Sequence, residues 1–181
     1  METKNFDDYS SRYFKILSEI DKKKISQIIN KLEHYNKKNA GKVWIFGNGG
    51  SHATSSHIAT DFTKNTKIKM LTISDADQIT CFSNDYGYEN WISKTLEKYS
   101  EKKDIVILVS SSGNSNNMIK AAKFCKKNKL FLITLTGFDK KNKLYPYGDL
   151  SIWINSKSYN FVEVAHLQIL AYAVDKIAKI Y

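Results

Sequence analysis

The chain has 181 residues, a length that suits one domain with its own core and one main site. Hydrophobic residues at 42% against 25% charged exclude a disordered chain, and no apolar run approaches the roughly 20 residues that cross a bilayer. A formal net charge of +10 raises nucleic acid as a partner. The lysines, however, fall in short groups at 22–24, 37–38, 102–103, 126–127 and 140–141, and Arg12 is the sole arginine. That pattern argues against nucleic acid and for a basic surface that attracts anionic metabolites.

The opening METKNFDDYS lacks the basic-then-apolar layout of a signal peptide, so a cytoplasmic location without membrane contact is expected. Residues 6–38 carry Phe14, Leu17, Ile25, Ile28, Ile29 and Leu32 at three- and four-residue steps, which predicts two amphipathic helices broken near 18–21. KVWIF at 42–46 predicts a strand, followed by Gly47-Asn48-Gly49-Gly50-Ser51 and a helix through Phe62. KMLTI at 69–73 predicts a second strand, then a segment containing Asn84-Asp85-Tyr86-Gly87 and a helix to about Tyr99. DIVILV at 104–109 is the most apolar strand. It ends in Ser110-Ser111-Ser112-Gly113-Asn114-Ser115, before a helix through Lys126.

Strands at 129–135 and 150–154 and a long helix at 162–180 complete the pattern, with the single proline, Pro146, in a local turn beside Gly148. Strands alternating with helices predict one α/β domain over 1–181, a five-stranded parallel sheet covered on both faces. Cys81 and Cys125 lack paired metal-ligand spacing and are expected in the core, as are Trp44 and Trp153.

In an open parallel sheet, ligands sit beyond the carboxyl ends of the strands, where loops run into helix N-termini. Ser110, Ser111, Ser112 and Ser115 offer hydroxyls there, and Gly113 lets backbone N–H groups approach an anion. Serines and a glycine also cap helices, their more common use singly, but four serines in six residues after the most apolar strand favour a phosphate ester. The loop at 47–51 lacks the lysine of a P-loop and the spacing of a dinucleotide fingerprint, which excludes ATP and NAD as favoured ligands.

FGNGGSHATSSH, SNDYGY, LVSSSGNSNN and ITLTGFD occur in the order and at the spacing that resemble the phosphoheptose isomerases of the sugar isomerase (SIS) domain family. The resemblance runs from Lys42 to the final helix. It implies a flavodoxin-like three-layer α/β/α sandwich, a homotetramer packed partly through the helical segment 1–40, and sites shared between subunits. The activity implied is isomerisation of sedoheptulose 7-phosphate to an aldose for surface polysaccharide. Ser110, Ser111, Ser112 and Ser115 would hold the phosphate, while Asn48, Gly49, Gly50, Ser51, Asn84 and Asp85 would line the sugar.

Ketose–aldose isomerisation needs a base beside the carbonyl and an acid at the neighbouring oxygen. Where the family has a Glu this chain has Asp61, and where it has a catalytic His this chain has Ala171, with Glu163 in place of a Gln. Asp61, with Glu163 or His166, are therefore the candidate proton-transfer residues, although His166 lies about 140° around the helix from position 171. Zinc is implied in some members and would fall here to His57, Asp61 and Glu163. Each has a bland alternative: His57 and Asp61 as a surface pair at i, i+4, His166 as a packed interface histidine, Asp61 and Glu163 as solvated carboxylates. Ala171 also raises a second function, a phosphosugar- or partner-binding protein whose chemistry has lapsed.

Overall fold

The computed structural model describes residues 5–38 and 41–180. Helices α1 (Phe6–Ser18) and α2 (Lys22–Lys38) lead into strand β1 (Lys42–Phe46) and helix α3 (Gly50–Asn65). Strand β2 (Lys69–Leu71), helices α4 (Ala76–Tyr86) and α5 (Trp91–Tyr99), strand β3 (Ile105–Ser110) and helix α6 (Asn116–Lys127) follow. Strand β4 (Phe131–Thr136), a 3₁₀ turn at Tyr145–Tyr147, strand β5 (Leu150–Trp153) and helix α7 (Tyr159–Ala178) complete the order. The expected break between the first two helices is present, because the Asp21 side chain accepts the backbone N–H groups of Lys23 and Lys24 at 3.0 and 3.1 Å and starts α2 afresh.

The sheet is wholly parallel in the order β2-β1-β3-β4-β5. Side chains that alternate along each strand feed two cores, as a pleat of period two requires. Val43 and Ile45 of β1 face a core with α2, α3 and α7, while Trp44 and Phe46 face one with α5 and α6. All six residues of central β3 are buried, which accounts for the uninterrupted apolar run IVILVS. This is the expected three-layer α/β/α sandwich.

Differences from expectation fall around β2 and α4. β2 is only three residues long, since it is an edge strand paired with β1 alone. The stretch after it is a helix, α4, capped where the Asp75 side chain accepts from the N–H of Asp77 at 3.0 Å. Cys125 is buried as expected, but Cys81 lies exposed on α4. Trp44 is core, and its indole N–H donates at 2.9 Å to Asp104. That buried carboxylate also accepts from the N–H groups of Lys42 and Glu101, locking the entry of β1 to the entry of β3.

Candidate active site

From β1 the chain crosses by α3 to β2 on one side, whereas β3 lies on the other, so the loops after β1 and β3 part at their carboxyl ends and leave a crevice. A cleft of about 260 Å³ fills that position, lined by Asn48 to Ser51, by Ser110, Ser111, Ser112 and Ser115, and by Tyr159 and Glu163. A larger cleft of about 510 Å³ lies elsewhere, between α5 and α6, walled by Lys94, Lys102, Lys120, Lys123 and Lys127. No carboxyl end of a strand contributes to its lining.

The serine loop is a tight turn. Gly113 has a φ of +62°, and its N–H donates to both the carbonyl and the hydroxyl oxygen of Ser110 at 3.2 Å. The Ser112 hydroxyl accepts the N–H of Asn114 at 3.2 Å. Both serines accept in these bonds, so their hydroxyl hydrogens remain free to donate to a ligand. Ser115 stands at the N-cap of α6 without using its side chain to cap, and the Ser111 hydroxyl is buried without a partner. An orphaned buried hydroxyl beside a helix N-terminus suits an anionic oxygen.

The opposite wall is the glycine loop. A Cβ at Gly47 would collide with the backbone of Ser51, and one at Gly50 with the Glu163 carboxylate. Asn48 reaches across to α6, exchanging two amide hydrogen bonds with Asn117 at 3.0 and 2.9 Å, and its oxygen also accepts from Tyr88 at 3.2 Å. Glu163 comes from the first turns of α7 and accepts the N–H of Ser51. Its burial raises its pKa above the ordinary carboxylate value, and the Ser51 N–H opposes that rise in part.

No lining residue is cationic. A phosphate here would be held by amide and hydroxyl donors and by helix N-termini, with the net charge of +10 attracting it from a distance.

The fold thus brings Asn48, Gly49, Gly50, Ser51, the four serines and Glu163 together and leaves the other expected residues out. Asn84 and Asp85 sit exposed in the last turn of α4 and bond to each other at 3.0 Å, outside the lining of this cleft. His57, exposed, and Asp61, half-buried, pair on α3 at 3.3 Å. The expected zinc trio does not assemble: among the described residues no three metal-ligating side chains cluster. Glu163 meets α3 at Gly50, and helical rise carries His57 and Asp61 about 10 and 16 Å further along the axis. Ala171 supplies no donor, and the residues present in one chain do not fit a zinc ion.

His166 also stands outside the cleft. It is fully buried, with Nε2 3.2 Å from the Thr136 carbonyl oxygen and Nδ1 unpartnered. Burial brings its pKa down to about 4, with the Thr136 contact opposing, so the ring packs in the core in its neutral form at physiological pH. Because the unfolded chain binds this proton more readily, the contribution is fully present above the ordinary value of 6.5 and is lost as pH falls toward 4. Unfolding titrations should show a loss of roughly 3 kcal/mol from this group between neutral pH and pH 4. His166→Gln, which keeps a donor but does not titrate, should flatten that slope.

Tyr159, which composition and spacing did not single out, is the addition. It opens α7, is 59% exposed, and its ring meets Phe138 edge-on at 4.7 Å between centroids.

An open parallel α/β sheet whose strand ends carry a serine-lined, cation-free anion cup defines a phosphate-ester-binding domain. Residues 5–137 match the SIS domain family, and the chain belongs to that family, in its phosphoheptose isomerase group. It is 36% identical over 139 residues to the phosphoheptose isomerase of Cytophaga hutchinsonii, covering 74% of this chain and 72% of that one. It is 34% identical over 170 residues to that of Fusobacterium nucleatum subsp. nucleatum, covering 91% and 87%. The structure of a phosphoheptose isomerase from Francisella tularensis superposes with a TM-score of 0.86 over 96% of both chains at 20% identity, which bears on the fold.

Proposed function

We propose that this protein is a phosphosugar isomerase that interconverts the ketose and aldose forms of a seven-carbon sugar phosphate, sedoheptulose 7-phosphate, for surface heptose synthesis. The observation that carries the reading is the shared cleft: a hydroxyl-and-amide cup for a phosphate faces a half-buried carboxylate, Glu163, across a space of about 260 Å³. The phosphate anchors one end of the sugar at Ser110, Ser111, Ser112 and Ser115, and Asn48 and the glycine loop meet the chain of hydroxyls. Glu163 then moves a proton between the two carbons that exchange the carbonyl. The names of the similar relatives support this substrate class.

The reading extends to assembly and location. α1 exposes Phe6 at 79% and Phe14 at 66%, and α7 exposes Val164 and Tyr172, apolar area that a homotetramer would cover. Among the described residues no helix is long and apolar enough to cross a membrane, and a cytoplasmic location belongs to the same proposal.

Ala171 favours a second reading, a binding protein that keeps the cup and lacks turnover, since its side chain packs against the core and moves no proton. One assay separates the two. Purified protein incubated with sedoheptulose 7-phosphate should yield the aldose, followed by reducing-sugar detection or NMR. Heat stabilisation by the sugar phosphate without any aldose would establish the binding protein instead.

A further inference from the structure

Isomerisation moves protons at carbon and at oxygen, and both must be served inside one cleft. Of the ten residues that line it, only Glu163 and Tyr159 carry a titratable side chain. They stand four residues apart on α7, hence on one face and one turn apart, and helical side chains lean toward the N-terminus, which tilts Glu163 toward the turn of Tyr159. The other carboxylate that the sequence suggests, Asp61, points elsewhere, paired with His57 about three turns along α3 from Gly50.

We infer that Tyr159 is the second proton-transfer residue of the cleft, serving the substrate oxygens while Glu163 serves the carbons. The inference rests on the isomerase reading above. In the ketose-to-aldose direction, the Glu163 carboxylate takes a hydrogen from the hydroxymethyl carbon, and the C–H electrons form the enediol double bond. The former carbonyl π electrons move onto oxygen, which takes the Tyr159 proton. Collapse reverses the traffic: the neighbouring hydroxyl returns its proton to the Tyr159 oxygen, its electrons form the aldehyde, and the second carbon takes the proton held by Glu163. Both residues end as they began, and no oxidant or other reactant is needed.

The ring has a separate task. Packed edge-on against Phe138 yet 59% exposed, it lines the cleft at the start of α7. Tyr159→Phe keeps that wall and removes only the hydroxyl.

The test is steady-state turnover of sedoheptulose 7-phosphate by the parent, Tyr159→Phe and Asp61→Asn, with pH profiles. Tyr159→Phe should lower kcat roughly 100-fold and leave KM within about threefold. A parent active at normal rate whose Tyr159→Phe variant keeps parental kcat would overturn the inference alone. The same result together with loss in Asp61→Asn would assign the role to Asp61 of a neighbouring copy. An inert parent would overturn the isomerase reading, and this one with it.

Discussion

Glu163→Gln should lower turnover by roughly 10²–10⁴-fold while sugar-phosphate binding stays within a few-fold of the parent. Gln preserves length, volume and an oxygen that accepts the Ser51 N–H, so the wall opposite the serine cup keeps its shape. What it loses is the proton acceptor. Because burial holds the Glu163 pKa above that of an ordinary carboxylate, the acidic limb of the parental kcat/KM profile should lie above the usual carboxylate range and vanish in the variant.

Stability should move the other way. The folded chain binds this proton more readily than the unfolded one, so stability falls as pH rises from the ordinary value of 4.5 through the raised one. A neutral Gln escapes that fall. Its Tm at neutral pH should equal or exceed the parent's by thermal unfolding, and an active Gln variant would remove Glu163 from the chemistry.

Gly113→Ala should abolish phosphate capture in a protein that still folds. A left-handed residue with a Cβ costs about 1–2 kcal/mol, and here the added carbon would also strike the Asn142 side-chain oxygen. Asn142 cannot step aside, since it is buried, donates to the Asp139 carbonyl at 2.7 Å and accepts the N–H of Tyr145 at 3.0 Å. The turn must therefore open, and the four serine hydroxyls lose their common focus.

Gly49→Ala is the matched comparison. It too has a positive φ, +55°, but nothing lies within 4 Å of the added carbon. It carries the same kind of backbone strain and touches only the sugar side, so it should keep the part of the heat stabilisation that the phosphate contacts confer, whereas Gly113→Ala should lose it, each variant being read from its own ligand-dependent Tm shift. Equal shifts in the two variants would mean that the turn at 110–115 is not the phosphate cup.

The legible parts were those in which local pattern and tertiary fate coincide. β1, β3 and β4 are apolar runs bounded by turn residues, and the sheet buries them on both faces. α4 was missed because a mostly polar stretch with Ile79 and Phe82 as its packed positions offers little periodicity, although Asp75 two residues before Asp77 was a usable cap signal. Asn84 and Asp85, which only the family resemblance put at the sugar, fall on the last turn of that helix, outside the one-chain cleft. His166 shares α7 with Glu163 yet faces the core, because three residues, about 300° around the helix, turn its side chain away from the cleft wall. Tyr159 had no signal, since a lone aromatic before an apolar helix reads as core.

By itself the sequence determined the alternation of strands and helices, hence the parallel sheet, and placed hydroxyls and glycines at the carboxyl ends of β1 and β3, because both follow from residues near in the chain. Only tertiary structure decided which side chains meet. Glu163 lies more than a hundred residues from Gly50, and it is the crossing of α7 over the start of α3 that sets its carboxylate on the Ser51 N–H and draws it away from His57 and Asp61. Convergence of that kind depends on helix phase and packing angle, which no short stretch of sequence encodes alone.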